Sequence, residues 1–157
     1  MSAAESAAEG QDRQGFEQRF FVDTNLFIYA YDESAGEKRE RARALVAQGW
    51  EQRRGCVSVQ VLQELYANLT RKVAKPLPPE RARQIVQRLL RWRVHTPPPE
   101  EVLRAIDLHR QADISFWDAM ILTSARSLGC KALYSEDLNA GQSYGGVVVI
   151  NPFAGIR

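Results

Sequence analysis

Cysteine and histidine are scarce in this chain, which has two of each (Cys56, Cys130, His95, His109) among 157 residues. The cysteines form no Cys-x-x-Cys pair, which argues against a disulfide framework or a zinc knuckle and favours a reduced, cytoplasmic setting with both thiols as small core residues. The histidines lack the i, i+4 spacing of a helical metal site and have no serine nucleophile beside them, so a capping or surface role is the expectation. Long apolar runs are also missing. Runs such as Val147-Val148-Val149-Ile150 fall far short of the ~18 residues a bilayer demands, so no membrane span is expected. The start does not read as a signal peptide, because Met1 to Gly10 carries two glutamates and neither a basic residue nor an apolar stretch. No internal repeat is visible.

What remains is the composition of one soluble domain, 45% hydrophobic and 25% charged. A chain of this length buries roughly 68–70% of its unfolded surface and folds without a staple. Its net charge is only +2, but the charge is unevenly placed. Residues 71–93 hold eight basic residues against Glu80 alone, and residues 37–54 hold six against three acids, so the remainder is acidic. That layout suits a positive rim beside an acidic site; an arginine-rich solvated helix face is the competing explanation.

Residues 1–18 are rich in Ala, Glu, Gln, Ser and Gly without apolar period and are expected to form a flexible extension before a domain spanning 19–157. Phe20-Phe21-Val22 reads as a buried strand ending at Asp23. Ala42, Leu45, Val46 and Trp50 give a helical period over 37–52, followed by a strand over 56–59. Leu62, Leu65, Tyr66 and Leu69 mark a helix from about 60 to 73, and Pro79 opens the next, which buries Ala82, Ile85, Val86 and Leu89. Residues 94–96 are briefly extended. Glu100 and Glu101 begin a helix running to about Gln111, and another covers Trp117 to Leu128 with Gly129 as its cap. Strands over 131–134 and 147–150 flank a Gly-rich loop. Short strands alternating with helices predict an α/β domain with a mainly parallel sheet, whose ligands sit beyond the carboxyl ends of the strands.

Four carboxylates fall where such a site would be. Asp23 ends the first strand and Asp137, with Glu136 beside it, follows the penultimate one. Glu64 lies in the helix after the second strand, flanked by Leu62 and Leu65, and Asp118 sits among Phe116, Trp117, Ala119 and Met120. Acids in apolar settings are uncommon because burying an unpaired carboxylate is expensive. Two like charges 4 Å apart repel by ~4 kcal/mol at an effective dielectric of 20, so a cluster recruits cations or stays partly protonated. Oxygen donors alone favour Mg²⁺ or Mn²⁺ over zinc, and such an ion suits phosphodiester hydrolysis. Thr24, Asn25 and Ser135 could support the acids from behind. Taken singly, each acid is more readily a helix cap or a surface charge; taken together, with two of them at strand ends, the balance moves towards a metal site.

The strand-ending Asp23-Thr24-Asn25, the helical Glu64, Trp117-Asp118-Ala119 and Ser135-Glu136-Asp137-Leu138 together resemble a PIN domain. The stretch from Ser135 through Gly141-Gln142 to Asn151-Pro152-Phe153 is similar to the VapC-type toxin branch of that family, and the resemblance covers roughly residues 20–153. It implies a PIN-like three-layer sandwich and a metal-dependent ribonuclease. It assigns Asp23, Glu64, Asp118 and Asp137 to a site for Mg²⁺ or Mn²⁺, with Glu136 either a ligand in place of Asp137 or a group behind it. It further implies an RNA substrate, a cognate VapB-like antitoxin whose tail covers the acidic groove, and a homodimer.

Two other functions compete: a phosphatase using Asp23 as nucleophile, and a non-catalytic RNA- or protein-binding module. Asn25, standing where a phosphatase needs a second acid, weighs against the first. Retained, mutually repelling carboxylates weigh against the second. RNA phosphates are expected to meet Arg53, Arg54, Arg83 and Arg88, whereas Trp50, Trp92 and Trp117 are expected to pack more than to stack on bases.

Overall fold

The structure is a computed structural model that describes residues 19–156; the extension expected over 1–18 lies outside the described residues, as does Arg157. It is an α/β domain of six strands and six helices among those residues. In chain order these are β1 (Phe20–Val22), α1 (Thr24–Tyr31), α2 (Glu37–Glu51), β2 (Gly55–Ser58), α3 (Val59–Arg71) and α4 (Pro79–Leu89). Then follow β3 (Arg93–His95), α5 (Pro99–Ala112), α6 (Phe116–Ser127), β4 (Ala132–Tyr134), β5 (Ser143–Tyr144) and β6 (Val147–Ile150).

The strands lie in the order β3-β2-β1-β4-β6-β5, parallel throughout except for β5, which pairs antiparallel with β6. From β1 the chain steps outward to β2 and β3, then crosses back to β4. Right-handed crossovers therefore put α1 to α4 on one face of the sheet and α5 and α6 on the other, a three-layer sandwich. The packing agrees: α1 meets α2 and α3, α3 meets α4, and α5 meets α6. The central strand β1 is apolar on both faces, and Phe21, Val22, Val57 and Leu133 have no exposed surface. β1 is also where the strand order reverses, with β2 on one side and β4 on the other, so the crevice at its carboxyl end is the expected ligand position.

Two elements depart from the sequence-based expectation. Helix α1 begins immediately after β1, because the Asp23 side chain accepts a hydrogen bond from Thr24 N–H at 2.8 Å and caps it. Its Leu26, Phe27 and Ala30 are buried, and it carries no charged side chain that would mark a solvent face. Strand β5 lies inside what reads as a Gly-rich loop, where Gly145 and Gly146, both at positive φ, turn the chain back into β6. Elsewhere β2 ends one residue early, since Ser58 caps α3 by accepting from Val61 N–H, and Gly129 at φ 72° follows α6 as expected. Cys56 and Cys130 are buried free thiols. No helix among the described residues is long and apolar enough to cross a membrane.

Candidate functional site

All four singled-out acids line one cleft of about 540 Å³ at the carboxyl end of the sheet. Strand ends and helix starts bring them there. Asp23 leaves β1, Asp137 follows β4, Glu64 projects from α3 and Asp118 from the first turn of α6, whose cap Ser115 accepts from the Asp118 N–H at 3.0 Å. Asp23 is the deep member at 6% exposure, Glu64 and Asp118 are half-buried, and Asp137 is exposed.

Each acid is held by a neutral donor. Ser135 donates its hydroxyl to Asp23 at 2.8 Å and accepts the Asp137 N–H at 3.2 Å, so one buried side chain links two of the carboxylate residues. Thr24 donates to one Glu64 oxygen at 2.6 Å and Gln60 to the other at 2.9 Å. Asn25 donates to Asp137 at 2.9 Å, while its own carbonyl oxygen is buried without a partner. Burial pushes the Asp23 carboxyl up to about 6, against the pull of its Ser135 and Thr24 hydrogen bonds and with the help of Glu64 and Asp137. Asp118 is raised for the same leading reason, burial, opposed by a Ser115 hydrogen bond and reinforced by Asp137 and Glu64. The acids thus feel one another electrostatically although they come from four places in the chain.

Glu136 stands apart. Burial pulls its carboxyl upward, but hydrogen bonds from Lys38 and Tyr29 outweigh it and hold the group below the usual range. The Lys38 ammonium lies 2.8 Å from Glu136 and 5.0 Å from the centre of the Tyr29 ring. Of the two neighbouring acids, Glu136 therefore has its cation already, and Asp137 does not.

Do these residues suit a divalent ion? The donors are hard oxygens, the deepest carboxyl is costly to ionise, and a buried amide oxygen at Asn25 lacks a donor; all three fit a cation. Among the described residues, however, no three His, Cys, Asp or Glu side chains stand grouped closely enough to clasp one ion as they are oriented. The hydrogen bonds from Thr24, Gln60 and Asn25 account for Glu64 and Asp137, whose oxygens face those donors.

The structure also relocates the basic residues. Arg53 and Arg54 precede β2, and the register of β1 with β2 aligns Phe20 with Gly55, so both lie at the amino end of the sheet, opposite Asp23. Arg83 and Arg88 lie on the exposed side of α4. None of the four lines the cleft: parallel strands send Arg53 and Arg54, which precede β2, to the end opposite Asp23, and α4 turns Arg83 and Arg88 to its exposed side. Lys72, which belongs to the basic 71–93 segment, is the basic residue among the described ones that does line the cleft, with Asn68 beside it. Trp117 corrects the packing expectation: it is 62% exposed at the cleft wall, whereas Trp92 is buried. His95 also departs from a surface role, pairing at 2.7 Å with the buried Glu101, which in turn accepts from Ser127 at 2.5 Å. His109 contacts the Ile114 carbonyl through Nδ1.

A parallel sheet with acids gathered at its reversal point is the architecture of the PIN fold. The model of the PIN domain family matches residues 20–142, and the chain belongs to that family. Among solved structures it resembles the VapC20 toxin of Mycobacterium tuberculosis, described as cleaving the sarcin–ricin loop, with 22% identity and a TM-score of 0.60 over 75% of this chain and 89% of that one. A toxin–antitoxin complex from Klebsiella pneumoniae aligns with 18% identity and a TM-score of 0.59, covering 84% and 96% of the two chains. DNA-bound VapBC from Salmonella typhimurium gives 23% identity and a TM-score of 0.57 over the same shares. At these identities the likeness is one of fold. No curated protein matches the sequence.

Proposed function

We propose that this PIN-domain chain is a Mg²⁺- or Mn²⁺-dependent endoribonuclease that hydrolyses RNA phosphodiester bonds, and that it is the toxin of a toxin–antitoxin pair. The observation that carries the reading is the meeting of Asp23, Glu64, Asp118 and Asp137 in one cleft, none of them ion-paired to a cation among the described residues. Those four residues would hold the ion, and Glu136, occupied by Lys38, would support Asp137 from behind. Held by those residues, such an ion would supply Lewis-acid chemistry: positioning of the phosphodiester, a lower pKa for a coordinated water and offset of charge on the leaving oxygen.

The chain's own residues set the stage for that chemistry. Ser135 and the Thr24 N–H hold both oxygens of Asp23 in place, and Thr24 and Gln60 do the same for Glu64, so little reorganisation is left to the reaction. Lys72 stands at the wall as a cation for RNA phosphate, and the exposed Trp117 ring offers a stacking surface for a base. Partners follow from the same reading: a VapB-like antitoxin that covers the cleft, supported by fold neighbours solved as toxin–antitoxin complexes, and a second copy of the chain. The cytoplasm is the proposed compartment.

Asp118→Asn tests the assignment: divalent-dependent RNA cleavage should be lost while the circular dichroism spectrum is kept, and cleavage at the parent rate would remove Asp118 from the site. A non-catalytic binding module is the second reading, favoured by the neutral hydrogen bonds that occupy Glu64 and Asp137. Calorimetric titration with Mn²⁺ separates the two, since the absence of saturable binding would support the module.

A further inference from the structure

At the amino end of the sheet, the end of α2 and the turns entering β2 and β3 enclose a cavity of about 600 Å³. Arg53, Arg91 and Arg93 line it together with Trp50 and Trp92, and among the described residues no acid does. An adjoining cavity of about 270 Å³ shares Trp50 and Arg91 and adds Arg88. None of these four arginines is ion-paired among the described residues, and Glu51, the acid nearest in sequence, pairs with none of them.

The local chemistry is rich in donors and poor in acceptors. The Arg53 carbonyl is already taken by Arg93, which donates to it at 2.6 Å, and the buried Trp92 indole N–H has no acceptor among the described residues. Arg53 itself sits at φ 53°, just past the α2 cap at Gln52, where a left-handed turn favours glycine. An arginine is held there in a costly backbone conformation, with its side chain on the cavity wall. Trp50 stands between the two cavities, edge-on to Trp92 at 5.7 Å and 38% exposed.

We propose that this pole is a second, non-catalytic binding surface for single-stranded RNA, in which Arg53, Arg88 and Arg91 meet successive phosphates and Trp50 stacks on a base. A lone phosphate would use the arginines and leave the exposed indole without a purpose; cations interleaved with an aromatic ring match the repeating phosphate-and-base pattern of a strand. The choice of RNA over other polyanions rests on the nuclease reading of the cleft. The surface lies at the opposite end of the strands from that cleft, so it would engage RNA at a distance from the bond that is cut.

The test is fluorescence anisotropy of the full chain in EDTA with a labelled single-stranded RNA of about 20 nucleotides and a tetranucleotide as probes. Arg91→Glu should weaken binding of the longer RNA about tenfold, with a smaller loss for the tetranucleotide, and reduce the slope of log affinity against log salt by about one. Arg53→Gly, which suits the local backbone and so keeps the fold, should weaken it several-fold. Unchanged affinity and slope in both folded variants would overturn the proposal. So would duplex DNA or inorganic phosphate binding as tightly as the RNA and losing as much, which would mark a general anion surface. Because the titration reads binding without a divalent ion, a failed cleavage assay would refute the nuclease reading and leave this result standing.

Discussion

The two ends of the sheet differ in the sign of their unpaired charge. At the carboxyl end, four acids from β1, α3, α6 and the segment after β4 share a cleft and are satisfied by neutral donors. At the amino end, guanidinium groups at the entries to β2 and β3 gather around two indoles with no acid among the described residues there. Parallel strands separate the two sets, because residues entering a strand and residues leaving it cannot meet. Only +2 remains when the whole chain is summed, so net charge conceals a molecule with a strong internal polarity. The cleft concentrates like charge in a partly buried setting, where each carboxylate raises the cost of ionising the next. The opposite pole is open to water and tolerates its charge more easily.

The sharpest way to break this contrast is to remove charge from the deep end. Asp23→Asn should lower RNA cleavage by about 10³-fold, the equivalent of several kcal/mol of lost transition-state stabilisation. The same substitution should make the metal-free protein more stable. The Asp23 carboxyl rises from 3.8 to about 6 on folding, so ionising it opposes the folded state. That opposition is absent below the unfolded value of 3.8, grows as pH rises, and is complete above about 6. Its size is about 3 kcal/mol. Urea unfolding in EDTA should therefore show Asp23→Asn stabilised at pH 7.5 and nearly equal to the parent at pH 3.5. Equal stability at both values would mean that the deep carboxylate is not strained.

Smaller changes sharpen the comparison. Thr24→Val takes one donor from Glu64 and should weaken Mn²⁺ affinity by 10–100-fold, roughly the effect of losing a group that orients a ligand, as calorimetry would show. At the other pole, Gly49→Ala would place its Cβ 2.6 Å from the Trp92 ring. It should cost about 1–3 kcal/mol of stability in denaturant while leaving cleavage per folded molecule unaltered. Lys38→Met should leave the denaturant midpoint close to the parent's, because its ion pair with Glu136 is partly exposed and screened by solvent. A large fall in cleavage in that variant would instead draw Glu136 into the site.

Much of this arrangement was legible before folding. Phe20-Phe21-Val22 announced a buried strand, and acids lodged among apolar residues at Glu64 and Asp118 announced a cleft. Helix α1 was hidden because Leu26, Phe27, Ile28 and Tyr29 form an apolar block with no charged side to reveal a helical period. The positions of Arg53 and Arg54 were legible but unread: residues that enter a strand of a parallel sheet lie at its amino end, opposite the acids that leave the strands. Trp117 looked like a core residue because its neighbours are apolar, yet it occupies the exposed face of the first turn of α6.

The Ser135 hydroxyl has a direction. It points its proton at Asp23 and offers its lone pair to the Asp137 amide, so polarity runs one way from an outer loop to the buried acid. Protonating Asp23 would deprive that hydroxyl of its strongest acceptor and free it to rotate, slackening its hold on the loop. Acidity sensed in the interior would then be felt as looseness at the mouth.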